Sequence, residues 1–247
     1  MPEPNGAGAY RDGRFATTSW SLVLAAGGVS AATAAEALAT LCSRYWYPVF
    51  AFVRRQGYSP EDARDLTQGF FARVIEKGDV ADADRSRGRF RTFLLTACTH
   101  FLSNERDRAG TLKRGGGLVA VPLDLIEAEG RYGRALADDE TPESLYERQW
   151  ALALLSSCLG SLRAEYEIAG QGGLFDRLEA YLTADDAAGT YAEAAVELGM
   201  TTSAVKTAVH RLRRRYRDSL RRQIADTLAS PDDGDVELRH LFEALSR

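Results

Sequence analysis

The residues best suited to binding chemistry are short polar and cationic side chains spaced along one segment near the C-terminus. They are Thr202, Ser203, Lys206, Thr207, His210, Arg211 and Arg214. Groups of these types can hydrogen-bond to base edges and phosphates in the major groove of DNA, and lysine and arginine add salt-dependent affinity. The simpler alternative is a solvated, cationic helix end in an ordinary bundle. The composition of this segment favours DNA binding.

The surrounding sequence predicts a helix-turn-helix that would position these groups. Thr190 and Glu193 have the spacing of a capping box at the start of the first helix. Gly199 would supply the left-handed turn, and Thr201 or Thr202 would cap the second helix. The predicted buried face of that second helix comprises Val205, Ala208, Val209, Leu212 and Tyr216. The polar and cationic residues are thereby left on the outside.

A second basic segment carries arginines interleaved with phenylalanines. Its candidate residues are Arg85, Arg87, Arg89, Phe90, Arg91, Phe93, Asn104 and Arg108. Aromatic rings can stack on unpaired bases, and arginines can neutralise the phosphates of a separated strand. The alternative is that Phe90 and Phe93, which have helical spacing, lie in the core and leave the contacts to the arginines. The segment predicts binding to single-stranded nucleic acid.

The charge of the chain is unevenly distributed, although its formal net value is -4. Residues 85–114 contain eight Arg or Lys against two Asp or Glu, and residues 202–222 contain eight against one. Residues 119–150 contain eight acids and three bases, and residues 223–247 contain six and two. Two cationic faces are therefore compatible with an acidic total.

The composition also argues against several other classes of protein. No apolar run approaches the roughly 20 residues of a membrane span, and no export signal is evident, so we expect a cytoplasmic protein. Cys42, Cys98 and Cys158 are far apart among apolar residues, which favours core thiols over disulfides or a zinc site. Because no catalytic motif or metal-ligand spacing is present, we expect no catalytic residue, no metal, no cofactor and no enzymatic activity.

Apolar spacings of three and four recur along the chain without a convincing period-two strand, so the predicted fold class is all-α. Residues 1–33 are a predicted N-terminal extension, and residues 34–109 a bundle of three or four helices. Glycines and the lack of a sustained period predict a flexible acidic linker at residues 110–140. Residues 141–222 form the predicted helix-turn-helix domain, and residues 223–247 an acidic tail.

The tail has an apolar face formed by Leu238, Leu241, Phe242 and Leu245. Because the tail is acidic and follows the most cationic helix, we expect it to pack on the second domain and screen residues 211–222 from nonspecific DNA. The alternative is a structural cap on the bundle.

Two segments resemble a known family. Residues 61–78, EDARDLTQGFFARVIEKG, resemble the polymerase-clamp helix of the extracytoplasmic-function (ECF) group of bacterial RNA polymerase sigma factors. The matching residues are Asp62, Ala63, Asp65, Leu66, Gln68 and Phe71. Residues 90–108, FRTFLLTACTHFLSNERDR, are similar to the promoter-melting helix of that group. The matches there are Phe90, Arg91, Leu94 and Ala97, with an aromatic residue at Phe93.

Together with the helix-turn-helix, these segments cover about half the chain in the order expected for that group. The resemblance implies a sigma factor that binds core RNA polymerase through Asp62, Asp65, Leu66, Gln68 and Phe71. The helix-turn-helix would bind the promoter -35 element, and the basic segment would bind and melt the -10 element. Implied partners are core RNA polymerase, promoter DNA, and an anti-sigma protein or another regulator. The alternative is a stand-alone helix-turn-helix regulator that does not contact the polymerase clamp.

Overall fold

The computed structural model describes residues 44–77, 89–109, 125–135, 140–182, 189–225, 227–228 and 234–246. Every regular element within these ranges is helical, which confirms the all-α prediction. The helices are α1 (44–55), α2 (Pro60–Lys77), α3 (Phe90–Ala109), α4 (Leu125–Ala135), α5 (Pro142–Ile168), α6 (Gly172–Leu178) with a following 3-10 turn (Glu179–Leu182), α7 (Tyr191–Glu197), α8 (Thr202–Ala225) and α9 (Gly234–Ser246). The predicted N-terminal extension and residues Arg85 and Arg87 lie outside the described ranges.

Side-chain caps define where two of the longer helices begin. The hydroxyl of Ser59 accepts a hydrogen bond from the backbone amide of Asp62 at 3.1 Å, one residue before α2 begins. Thr141 caps α5 in the same way by accepting from the amide of Ser144 at 3.1 Å, and Pro142 follows as the first helical residue. Such caps satisfy amides that have no partner inside the helix. Both helices therefore begin directly after a side-chain cap.

The first of two apolar cores joins α1, α2 and α3 through aromatic side chains. Tyr45 of α1 meets Phe90 of α3 edge to face, with ring centroids 5.3 Å apart. The rings of Phe70 of α2 and Phe101 of α3 lie 5.9 Å apart. Aromatic pairs at these distances bury large apolar areas and add favourable ring contacts.

The second core lies under the helix-turn-helix. Phe175 of α6 is fully buried, and its ring centroid is 5.4 Å from that of Tyr166 near the end of α5. Ala194 and Ala195 of α7 are buried in the same core, where their small side chains permit a close approach of helices. This core therefore fixes α7 and the first half of α8 on the end of α5.

Helices α5 and α8 contribute side chains to both cores. Tyr146 in the first half of α5 belongs to the first core, whereas Tyr166 belongs to the second. In α8 the order is reversed: Val209 lies in the second core and Leu220 in the first. Tyr216, between them, packs against both cores. The first core thus contains side chains from both predicted domains, and the two-domain division stays a prediction.

A helix occupies part of the segment that the sequence predicted as a flexible linker. α4 buries Ala128 and Tyr132 in the first core. The guanidinium of Arg54 in α1 donates to Glu129 at 2.7 Å and lies 4.8 Å from the centre of the Tyr132 ring. The prediction of a stretch without a helix is therefore wrong at Leu125–Ala135. Packing on α1 stabilises a helix that its two interior glycines disfavour.

The C-terminal tail forms α9, which packs against α5 and α8. Leu241 of α9 is fully buried in the first core. The tail does not cover residues 211–222 in the way that the screening prediction requires. Arg211, Arg214 and Arg222 are exposed, and Arg221 lies 3.9 Å from Asp235 while most of its side chain is in solvent. Instead, the buried carboxylate of Glu237 in α9 pairs with Arg89 and Arg91 at the start of α3, because it lies on the face of α9 that packs inward.

Candidate nucleic-acid interface

The helix-turn-helix begins with a complete capping box. The Thr190 hydroxyl accepts from the Glu193 amide at 3.2 Å, and the Glu193 carboxylate accepts from the Thr190 amide at 2.8 Å. The carboxyl of Glu193 accepts hydrogen bonds from the backbone amide and from the side chain of Thr190, and these lower its pKa because they stabilise its charged form. Gly199 adopts a φ of 62° in the turn, and Thr201 caps α8 by accepting from the Ala204 amide at 3.2 Å. The predicted local signals are confirmed.

The predicted DNA-contacting face of α8 is exposed along its whole length. The exposed residues include all seven candidates: Thr202, Ser203, Lys206, Thr207, His210, Arg211 and Arg214. Val205, Val209 and Leu212 are buried in the second core, while Ala208 and Tyr216 are half-buried against it. The helix therefore presents cations and hydroxyls to solvent while its opposite face is fixed.

Two further arginines of α8 hold it in place. Arg213 donates two hydrogen bonds to the backbone carbonyl of Tyr181, at 3.0 and 2.8 Å. Arg215 forms an ion pair with Glu165 and lies 4.8 Å from the centre of the Tyr166 ring. Arg213 and Arg215 thus pair within the fold although both remain partly in solvent, a role that the sequence did not reveal.

A groove of about 580 Å³ runs beside the first half of α8. It brings together three predicted contact residues, Ser203, Thr207 and Arg211, with Gln171 and Arg215. The sequence did not single out Gln171, which precedes α6 and reaches the groove only through the fold. The exposed face of α8 therefore adjoins a groove whose lining includes the hydrogen-bonding side chains of Gln171 and Arg215.

At the start of α3, two predicted strand-binding residues are buried. Phe90 is fully buried in the first core, and Arg91 is 4% exposed. Arg91 forms ion pairs with Glu147 and Glu237, and its guanidinium lies 4.5 Å from the centre of the Trp150 ring. Neither residue is accessible to a DNA strand in this arrangement. Phe90 packs against Tyr45 of α1 in the first core, and residues of α5 and α9 surround the Arg91 guanidinium. The prediction that both face DNA is corrected accordingly.

The remaining described candidates of α3 lie at or near the surface. Asn104 and Arg108 are exposed, and Phe93 and Arg89 are half-buried. Phe93 and Asn104 line the same groove of about 420 Å³ between α2 and α3, together with Arg73 and His100. The sequence did not identify Arg73, which lies on a different helix from the basic segment. A cation, an imidazole, an amide and a ring around one groove can bind a base and its phosphate.

The predicted polymerase-binding residues of α2 differ in exposure. Asp62 and Asp65 are exposed, while Leu66 and Gln68 are half-buried. Asp62 bonds the hydroxyl of Ser59 at 2.9 Å, and Asp65 accepts from Arg64 at 3.0 Å. Phe71 is 2% exposed and belongs to the first core, so its predicted contact with a partner is not available in this arrangement. The accessible surface of α2 is acidic near its start.

Among curated proteins, the chain is similar to the ECF RNA polymerase sigma factor SigE of Mycolicibacterium smegmatis, with 26% identity over 182 residues. This similarity supports a sigma-factor family. The aligned segment covers 74% of this chain and 61% of the relative, so the chain spans less than two thirds of that protein. No family model matches the chain, and no solved structure matches it significantly.

The described residues offer little for metal or thiol chemistry. Within them, no group of three or more His, Cys, Asp and Glu side chains could hold a metal ion, and no helix is long and apolar enough to cross a membrane. Cys98 and Cys158 are buried free thiols, as predicted, whereas Cys42 lies outside the described ranges. Burial raises the pKa of the Cys98 thiol to about 12 and that of Cys158 to about 11.

Proposed function

We propose that this chain is a sigma factor of the ECF type that binds core RNA polymerase, recognises promoter -35 and -10 elements and promotes melting of the DNA. It would carry no catalytic residue of its own. The observation that carries the proposal is the exposed, cationic face of α8, held by a capped helix-turn-helix and accompanied by the similarity to an ECF sigma factor.

In this proposal the two cationic surfaces have different tasks. The face of α8 around Lys206 and Arg211 binds the duplex of the -35 element, since its hydroxyls and cations suit base edges and phosphates. The groove that holds Phe93 and Asn104 binds the unpaired strand of the -10 element, since it combines a ring with polar groups. The acidic start of α2, with Asp62 and Asp65, binds a basic surface of the polymerase.

One observation favours the alternative of a stand-alone regulator. Phe90 and Arg91, which the resemblance assigns to promoter melting, are buried, so part of the second DNA surface is absent in this arrangement. A stand-alone regulator would need only the helix-turn-helix, and such proteins commonly bind as dimers to paired half-sites. Dependence on polymerase separates the two functions.

The test is to add the purified protein to sigma-free core polymerase and map transcript starts on genomic DNA. We expect new starts preceded by a shared pair of elements. A variant with Lys206→Ala and Thr207→Ala should lose these starts while keeping its fold, since both side chains are exposed. Specific duplex binding without any polymerase-dependent start would reject the sigma-factor proposal in favour of the regulator.

A further inference from the structure

The C-terminal helix α9 contacts the arginines of the basic segment through its first turn. Glu237 of α9 accepts from Arg91 through both carboxylate oxygens, at 2.8 and 3.1 Å, and its second oxygen lies 2.8 Å from Nε of Arg89. The Glu237 side chain is fully buried. We call the group of Arg89, Arg91, Glu147 and Glu237 the Glu237 cluster.

Glu237 binds these arginines as a phosphate would. A guanidinium presents parallel N–H donors that fit the two oxygens of a carboxylate or of a phosphate equally well. The Arg91 donors directed at Glu237 are therefore unavailable to any other anion while α9 is in place. The same holds for Nε of Arg89, whose side chain is otherwise 29% exposed.

The apolar attachment of α9 is limited in extent. Leu241 is its one fully buried apolar side chain within Gly234–Ser246, with Leu238, Ala244 and Leu245 half-buried. Phe242 is 53% exposed and Val236 is 37% exposed. A buried carboxylate is stable only beside its cationic partners, so the seating of α9 depends on the Glu237 cluster as well as on Leu241.

We propose that α9 is a built-in competitor of nucleic acid, in which Glu237 occupies the guanidinium groups of Arg89 and Arg91 that would otherwise bind phosphates of a single DNA strand. This inference rests on the proposed function, which assigns strand binding to the start of α3. Release of α9 frees Arg89 and uncovers one side of Arg91. When only a fraction of the molecules is in the strand-binding state, the apparent affinity for the strand is reduced by that fraction.

The experiment compares the full chain with two variants that remove one negative charge each from α9. Glu237→Gln removes the buried carboxylate, and Asp235→Asn removes an exposed one whose side chain is 86% in solvent. Binding of a fluorescent single-stranded oligonucleotide is measured by anisotropy over a range of salt concentrations. Hydrogen exchange of residues 234–246 reports whether α9 is released.

We expect Glu237→Gln to accelerate exchange across α9 and to tighten strand binding on the order of tenfold, with Asp235→Asn unchanged. The salt dependence should also become steeper by about 0.7 in log–log slope for each phosphate contact recovered. Adding Arg89→Ala to Glu237→Gln should cancel most of the gain. A merely structural role for α9 would change neither the affinity nor the slope.

A second variant covers the case in which Glu237→Gln unfolds. Leu241→Ala weakens the apolar seat of α9 without changing any charge, so it should tighten strand binding in the same direction. Faster exchange of α9 without tighter strand binding, in either folded variant, overturns the proposal and leaves a structural cap.

Failure of this inference and failure of the proposed function give different results. Wild-type protein that directs polymerase-dependent transcription, with no tighter binding by Glu237→Gln, rejects the competitor and keeps the sigma factor. Tighter strand binding by Glu237→Gln, without polymerase-dependent transcription by wild type, supports the competitor and rejects the sigma factor.

Discussion

The hydroxyl of Tyr146 in α5 donates a hydrogen bond to the backbone carbonyl of Arg91 in α3, at 3.0 Å. Tyr146 is fully buried, and this burial raises the pKa of its phenol well above the usual value, so the hydroxyl stays a neutral donor. The bond joins the first half of α5 directly to the start of the basic segment.

Tyr146→Phe should lower the free energy of unfolding by about 1 kcal/mol, since it removes one buried hydrogen bond and keeps the ring. The measurement is urea denaturation of the full chain. Tyr191→Phe serves as the control, because Tyr191 is half-buried on α7 and its ring contacts are retained. Equal loss in both variants would mean that the bond to Arg91 contributes nothing specific.

Local signals in the sequence predicted several elements correctly. The predicted cap at Thr190 is formed because its hydroxyl needs only a backbone amide three residues away, and Ser59 and Thr141 cap α2 and α5 by the same local geometry. The alternation of buried and exposed residues along α8 followed from helical spacing in the same way. These features depend on neighbours within one or two turns, so the sequence contains enough information to predict them.

Contacts between distant residues could not be predicted in this way. Arg91 and Glu237 are 146 positions apart, and neither residue's neighbours indicate the pairing. Arginines beside phenylalanines predicted an exposed strand-binding surface, but the packing of α5 and α9 decides that Arg91 is buried. Similarly, Phe71 matches the clamp motif in type, while its burial depends on how α2 meets α3.

Lys206 and Arg214 of α8 should differ in what they contribute to DNA binding. Lys206 is exposed in the first half of the helix, near the groove, so Lys206→Ala should change the preferred -35 sequence by roughly 1 to 3 kcal/mol of discrimination. Arg214, further along the helix, should contact phosphates, so Arg214→Ala should weaken all sequences alike and reduce the salt slope by about 1. Selection from a random duplex library, followed by salt titration, measures both. The same selected motif for Lys206→Ala and wild type would remove Lys206 from base recognition.

Asp65 provides a test of the polymerase contact. Its side chain is 64% exposed and pairs with the neighbouring Arg64, so Asp65→Lys should leave the fold intact. We expect it to weaken co-purification with core polymerase several-fold, because charge reversal at an interface changes attraction into repulsion. Glu167→Lys makes the same charge change at an exposed site near the end of α5 and should have no effect. Full-strength association of the Asp65 variant would argue against the assignment of α2.

The two buried cysteines should be inert toward thiol reagents in the folded chain. Burial raises the pKa of Cys98 to about 12 and of Cys158 to about 11, so almost no thiolate is present at pH 8. In a Cys42→Ser variant, alkylation at pH 8 should therefore be slow and should accelerate at the urea concentration that unfolds the protein. Mass spectrometry of timed samples checks this. Rapid alkylation of either thiol in the native buffer would contradict the packing of the first core.

Two glycines should respond to alanine in opposite directions. Gly199 has a φ of 62° in the turn between α7 and α8, and an added Cβ would meet no atom within 4 Å. The cost of Gly199→Ala is therefore backbone strain alone, about 1 to 2 kcal/mol of lost stability.

Gly160 lies inside α5, where an added Cβ also meets nothing within 4 Å. Gly160→Ala should instead stabilise the chain by about 0.5 to 1 kcal/mol, because alanine favours the helix. Thermal and urea unfolding of both variants measure the signs, and a stabilising Gly199→Ala would show that the turn does not hold its left-handed conformation in solution.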